Sequence, residues 1–306
     1  MTAPDPGMAV PASSPWLAGF EHRRMDVDGV TVNHAIGGSG PPLLLLHGYP
    51  ENHLMWRHVA PGLAQHHTVV LADLRGYGDS GKPAPDAAGL VYAKRSMARD
   101  QAGLMRQLGF GEFGHIGHDR GARVAHRLVL DHPGAVTRLA VLDIVPTRHV
   151  LGNVTRAMAT AYYHWFFLAT PNGVPGHMIA ADPGFWVRSL IGPLLGPGAS
   201  IEPPVMDDYI RCFTDPRTIA ASCADYRAAA STDLVHDEET FAAGQRIECP
   251  VLALWGTEAF VGRGYEPLSV WQDYATDVRG TALPTGHFLP EEAPGQVAAA
   301  LRDFLL

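Results

Sequence analysis

The 306-residue chain is 46% hydrophobic and 18% charged, the balance of an ordinary globular protein able to bury roughly three quarters of its unfolded surface. Its formal charge of -8, from 31 acidic against 23 basic residues without long runs of either sign, speaks against nucleic-acid binding. No stretch reaches the roughly 20 apolar residues needed to cross a bilayer. The first twenty residues lack the basic start and long apolar segment of a signal peptide, so a cytoplasmic, membrane-free protein is expected.

Residues 20 to 36 hold two alternating segments around Asp28-Gly29, which predicts a hairpin. Short apolar runs then alternate with helical stretches. Leu43 to Leu46 ends at His47-Gly48, Thr68 to Ala72 at Asp73, Phe113 to Gly117 at His118-Asp119, and Leu139 to Leu142 at Asp143. Pro250 to Leu254 and Gly280 to Leu283 continue the series, and a helix over about Gln296 to Leu305 closes it. Continuous apolar strands separated by helices imply an α/β fold, a parallel sheet covered on both faces. Ligands then bind beyond the carboxyl ends of the strands. Between about Arg148 and Gly244 the alternation stops, and aromatic, proline-punctuated helical spacing takes over. The expected division is a core of residues 1–147 and 245–306 carrying a helical cap over 148–244. Cys212, Cys223 and Cys249 form neither a close metal-ligand pair nor an even disulfide set, and read as buried free thiols. Neither a metal nor an organic cofactor is implied.

Chemistry concentrates in residues 115 to 123, HIGHDRGAR. Gly117-His118-Asp119-Arg120-Gly121 has the form of a G-x-S-x-G elbow, in which a strand turns sharply into a helix and a strained central residue stands out of the sheet. Here that residue is a carboxylate. A serine displacing a leaving group from an sp³ carbon would become a stable ether, whereas Asp119 would become an ester that water can cleave. Asp is equally a favoured helix N-cap, and the five residues alone do not separate the two readings. His287, in a glycine-preceded loop after the last predicted strand, stands where the activating base belongs. Asp143, at a strand tip, is favoured over Glu258 as the acid that orients it. Charge developing on an aspartyl carbonyl needs fixed donors, for which the backbone N-H groups of Arg120 and Tyr49 are candidates. Arg120 and Arg123, three apart at a helix start, can face one side and bind a small carboxylate.

With these residues in hand, the chain resembles the haloacetate dehalogenases, including fluoroacetate dehalogenase, of the alpha/beta-hydrolase superfamily. The resemblance spans nearly the whole chain, through HGYP at 47–50, DLRGYGDSGKP at 73–83, GHDRGARV at 117–124, AVLDIVPT at 140–147, YHWFFLA at 163–169, DYRA at 225–228 and GHFLPEEAP at 286–294. It implies a mostly parallel eight-stranded sheet with helices on both faces and an inserted helical cap. It also implies that Asp119 attacks the halogen-bearing carbon of a small haloacid, that Asp143 orients His287, and that His287 activates water. By the same resemblance Arg120 and Arg123 hold the substrate carboxylate, while His164, Trp165 and Tyr226 surround the halide, and the protein forms a homodimer. Imidazole, indole and phenol are suitable donors to a poor leaving group. Tyr49 departs from the phenylalanine common in the family, and Leu194 falls near a position where relatives can carry a bulky aromatic. Two other readings compete. An epoxide hydrolase would use cap tyrosines among Tyr162, Tyr163, Tyr209 and Tyr226 and would give Arg123 no evident role. A non-catalytic ligand receptor on the same fold is the third, since fold does not fix function.

Overall fold

The computed structural model describes residues 16–306. The expectation about a signal peptide therefore falls, up to residue 15, outside the described residues. Eight strands form one sheet in the order β1-β2-β4-β3-β5-β6-β7-β8. β1 (Phe20–Val27) and β2 (Val30–Gly38) form the predicted hairpin, with Asp28 and Gly29 both at positive φ in its turn. β2 runs antiparallel to β4 (Thr68–Ala72), and every later pairing is parallel. β3 (Pro42–Leu46) and β5 (Phe113–His118) occupy the middle of the sheet, followed by β6 (Val136–Leu142), β7 (Val251–Gly256) and β8 (Val278–Leu283).

The apolar runs read from the sequence are these central strands. Leu43 to Leu46 and all of β5 are buried because helices cover both faces, and each fully buried leucine contributes about 1.5–3 kcal/mol. β8, at the sheet edge, alternates partly buried and exposed positions, as a strand with one free side does. Among the described residues no helix is long and apolar enough to cross a membrane. The cysteines are unpaired; Cys212 and Cys223 are buried as expected, while Cys249 is only partly so.

Two segments position the chemistry. The helix Asp119–Asp131 follows β5 without a loop, and its residues from Asp119 to Leu130 are all buried. The elbow residue Asp119 itself opens its first turn. Between β6 and β7 the chain is helical, running from Thr147–Gly152 through Arg156–Ala161, Tyr163–Ala169, Val174–Ala181 and Pro183–Ile191. The longer helices Pro203–Phe213, Pro216–Ala229 and Thr232–Ala242 complete this insert. Its side chains reach the carboxyl ends of the core strands, as Trp186 does toward Tyr49.

Candidate active site

At the end of β5 the backbone enters the left-handed region at Asp119, with φ 43°, a conformation that costs a non-glycine residue about 1–3 kcal/mol. The two flanking glycines make it feasible. A β-carbon at Gly117 would stand 2.5 Å from the Ala122 Cα, and one at Gly121 would stand 2.5 Å from the His47 carbonyl oxygen. Asp119 does not cap the helix: the N-cap is His118, and no side chain bonds there. Instead the Asp119 Oδ2 accepts the Tyr49 backbone N-H at 3.1 Å. Burial alone would raise the pKa of Asp119, but the charges of His287, Arg123, His118 and Arg120 bring it down to about 2, so the carboxylate is ionised and able to attack.

The acid chosen by the imidazole is Asp143. His287 Nδ1 lies 2.6 Å from Asp143 Oδ2, and Asp143 Oδ1 accepts the Gly256 N-H at 3.0 Å. Glu258 is exposed in the following loop. The His287 loop is fixed twice more, by its own N-H to the Leu194 carbonyl and by its carbonyl against His118 Nε2, each at 2.8 Å. His118 in turn sits 3.2 Å from the carboxylate of Glu51. Burial opposes a charge on His118, yet Glu51 and Asp119 outweigh it and raise its pKa to about 9.

Asp119, Asp143 and His287 open onto a small cavity together with Tyr49 and Arg123, closed from the insert by Tyr162, His164, Trp165, Leu190 and Leu194. The centre of a water molecule has about 10 Å³ to explore there, which is about the space of a single water. A ligand of more than a few heavy atoms requires the insert to move.

Of the two arginines expected to hold a carboxylate, the structure sets one at the cavity and turns the other away. Arg123 lines it, with Nη1 donating to the Val145 carbonyl at 3.0 Å and to Thr147 Oγ1 at 3.1 Å, and its Nε has no partner. Arg120 is fully buried behind it. Its Nε and Nη2 donate to the Asp225 carboxylate at 2.9 and 2.5 Å, Nη2 donates again to the Asp225 carbonyl at 3.1 Å, and only Nη1 is unpartnered. The three residues expected around a halide do gather. The His164 and Trp165 ring centroids stand 5.8 and 6.0 Å from that of Tyr226, and His164 and Trp165 line the cavity while Tyr226 packs against them outside its lining. His164 Nδ1 and the Tyr226 hydroxyl are buried without partners. Burial lowers the His164 pKa to about 3, so this group is a neutral donor or acceptor.

Sequence reasoning offered Tyr162 only as one of four cap tyrosines of an epoxide hydrolase, and did not assign Leu190, the Glu51–His118 pair or Asp225 to the site. Glu51 directly follows the HGYP loop and Asp225 opens the DYRA stretch, so both lay beside quoted motifs. Leu190 gives no sequence signal beyond helical spacing.

A family model described as the alpha/beta hydrolase fold matches residues 41–292. The chain is 45% identical over 293 residues to fluoroacetate dehalogenase of a Burkholderia species, covering 94% of each chain. It is 34% identical over 279 residues to soluble epoxide hydrolase of Corynebacterium sp. (strain C12), covering 89% of this chain and 93% of the relative. Among solved structures, a Nostoc sp PCC 7120 protein provisionally described as an alpha/beta hydrolase superposes with a TM-score of 0.92 at 49% identity, over 94% of this chain and 98% of that one.

Proposed function

The chain belongs to the alpha/beta hydrolase fold family, and from that premise we propose that it is a hydrolytic dehalogenase converting a short 2-haloacid such as fluoroacetate to the 2-hydroxyacid and halide. The observation that carries this reading is an ionised carboxylate at the elbow that shares its cavity with a guanidinium and with a carboxylate-bound imidazole. The similarity to fluoroacetate dehalogenase points the same way.

Asp119 attacks the carbon bearing the halogen, the carbon–halogen bond breaks with its electron pair, and an aspartyl ester forms as halide leaves. His164, Trp165 and Tyr226 are the halide donors, and Arg123 holds the carboxylate; the free Nη1 of Arg120 is the one side-chain nitrogen that residue has left for the substrate. His287, held by Asp143, takes a proton from water, which attacks the ester carbonyl. The oxyanion is stabilised by the Tyr49 N-H, already 3.1 Å from an Asp119 oxygen, and by the Arg120 backbone N-H. Collapse releases the hydroxyacid and restores Asp119. Losing one such donor costs about 3–4 kcal/mol of transition-state stabilisation. In this reading residues 148–244 act as a cap on the core of 1–147 and 245–306. The proposal includes a cytoplasmic homodimer. Unpaired cysteines suit a reducing compartment, and Tyr163, Phe166, Val174, Met178 and Phe185 expose apolar area on the insert that a second copy would cover.

Fluoride and chloride release from fluoro-, chloro- and bromoacetate, run beside a styrene-type epoxide, tests the reading. Asp119→Asn should lower halide release by about four orders of magnitude; undiminished turnover rejects the assignment. A single turnover in isotopically labelled water should place heavy oxygen in Asp119 before product. Epoxide hydrolysis is kept as a second reading because the Tyr162 phenol lines the cavity and an epoxide hydrolase is 34% identical. Arg123→Ala separates the two, with severe loss for a haloacid and little for an epoxide.

A further inference from the structure

We propose that Tyr162 is a specificity-determining residue that donates its hydroxyl to the substrate carboxylate beside Arg123, the two forming the acid clamp of the cavity. The proposal rests on the haloacid reading above.

A bound carboxylate offers two oxygens and about four acceptor positions, and such anions are held by paired, charge-assisted donors. Arg120 can offer only its Nη1, because its other two nitrogens are committed to Asp225. Arg123 supplies part. One of its terminal nitrogens is tied to Val145 and Thr147, leaving the unpartnered Nε and the other terminal nitrogen. A carboxylate with about four acceptor positions still has room for a further donor from another residue lining the cavity.

Tyr162 meets the requirement by position. It is 7% exposed and lines the cavity, yet among the described residues its hydroxyl has no hydrogen-bond partner. Its ring stacks on Trp165 with centroids 6.0 Å apart and planes 15° apart, and Arg123 Cζ stands 4.6 Å from the centroid of that same indole. One tryptophan therefore braces both donors. Phe260 packs edge-on against Tyr162 at 5.2 Å and fixes the ring from the core side. Burial, with the Asp143 and Asp119 charges adding to it, raises the phenol pKa well above its ordinary value, so it remains a proton donor. A hydroxyl with no partner, lining the same cavity as an incompletely paired guanidinium, leaves both groups free to donate to an anion that enters.

The test is Tyr162→Phe, which removes one oxygen and leaves the ring packing. Chloride release from chloroacetate should show KM raised about tenfold with a much smaller change in kcat, the size of a lost hydrogen bond to a charged group. Calorimetry with glycolate, the product acid, should show Kd weakened by a similar factor. Unchanged KM and Kd, or a fall in kcat at constant KM, overturns the clamp. Absence of halide release by the wild-type protein would defeat the haloacid reading instead, and the glycolate measurement would still decide on Tyr162. A melting temperature close to wild type shows that the variant folds.

Discussion

Asp119 and Arg120 are neighbours in sequence, but their side chains enter two differently built charge clusters. Around Asp119 lie polar groups that the protein leaves unpaired: Arg123 Nε, His164 Nδ1 and the Tyr226 hydroxyl. Around Arg120 the opposite holds. Asp225 accepts twice from Arg120 side-chain nitrogens, once from the Tyr77 hydroxyl at 2.7 Å and once from Lys94. Buried polar groups are normally satisfied; the Arg120 cluster, satisfied except at Nη1, ties the insert to the core, and under the proposed function the unpaired one receives the ligand. Under the proposed function the contrast sets Asp225 in the architecture and Asp119 in the chemistry.

Asp225→Asn is the strongest way to break this comparison. Removing the charge leaves Arg120 uncompensated in a fully buried place and Lys94 with only the Asp233 carboxylate, 3.8 Å away, and breaking a buried ion pair costs about 3–5 kcal/mol. Chemical denaturation should show a loss of that order, whereas the same change at Asp119 should cost far less stability while abolishing turnover. A loss below about 1 kcal/mol at Asp225 would mean that its cluster is no firmer than a surface ion pair.

A second probe is pH. His118 is raised from 6.5 to about 9 by Glu51 and Asp119 against its burial, and the Glu51 pKa is itself raised, chiefly by burial. For His118 the folded pKa exceeds the unfolded one, so its stabilisation is fully present below about pH 6.5 and is lost as pH rises through about 9. The raised Glu51 adds a loss of the same sign above its ordinary range. Melting temperature should therefore fall between about pH 6.5 and 9, and His118→Gln should flatten that decline. A profile indifferent to His118→Gln would remove the pair from the support of the His287 loop.

How much of this was legible in the sequence follows the range of the interactions. Strand tips ending in His47, Asp73, Asp119 and Asp143 could be read locally, because a short apolar run that ends at a polar residue has few other meanings in a covered parallel sheet. The elbow was legible for the same reason, although the sequence could not tell a cap from an outward carboxylate; the Tyr49 N-H, 70 positions away, decides it. The commitment of Arg120 to Asp225 spans 105 positions and leaves no periodic trace. Tyr162 and Tyr163 are indistinguishable as letters, yet the turn between two helices buries the first and leaves the second 47% exposed. Which aromatic of a pair faces the cavity is set by backbone rotation at that turn, with φ -110° and ψ 37° at Tyr162, and not by composition.

The smallest effect sharpens the boundary between the two clusters. Tyr49 contributes to the site through its backbone N-H, and its hydroxyl is engaged elsewhere, accepting the Trp186 indole N-H at 2.7 Å. The ring spans both jobs: it lines the cavity and stacks on His164 with planes 12° apart. Tyr49→Phe keeps the N-H and the stacking and removes only the bond to the insert, a neutral interaction contributing about 1 kcal/mol. Because the cavity has room for little more than a water with the insert seated, anything that loosens Trp186 should favour larger acids over smaller ones. The expected outcome is an unchanged kcat for chloroacetate and a several-fold gain in kcat/KM for 2-chloropropionate, read by chloride release. If both substrates respond alike, the Tyr49 hydroxyl holds the insert without gating what fits beneath it.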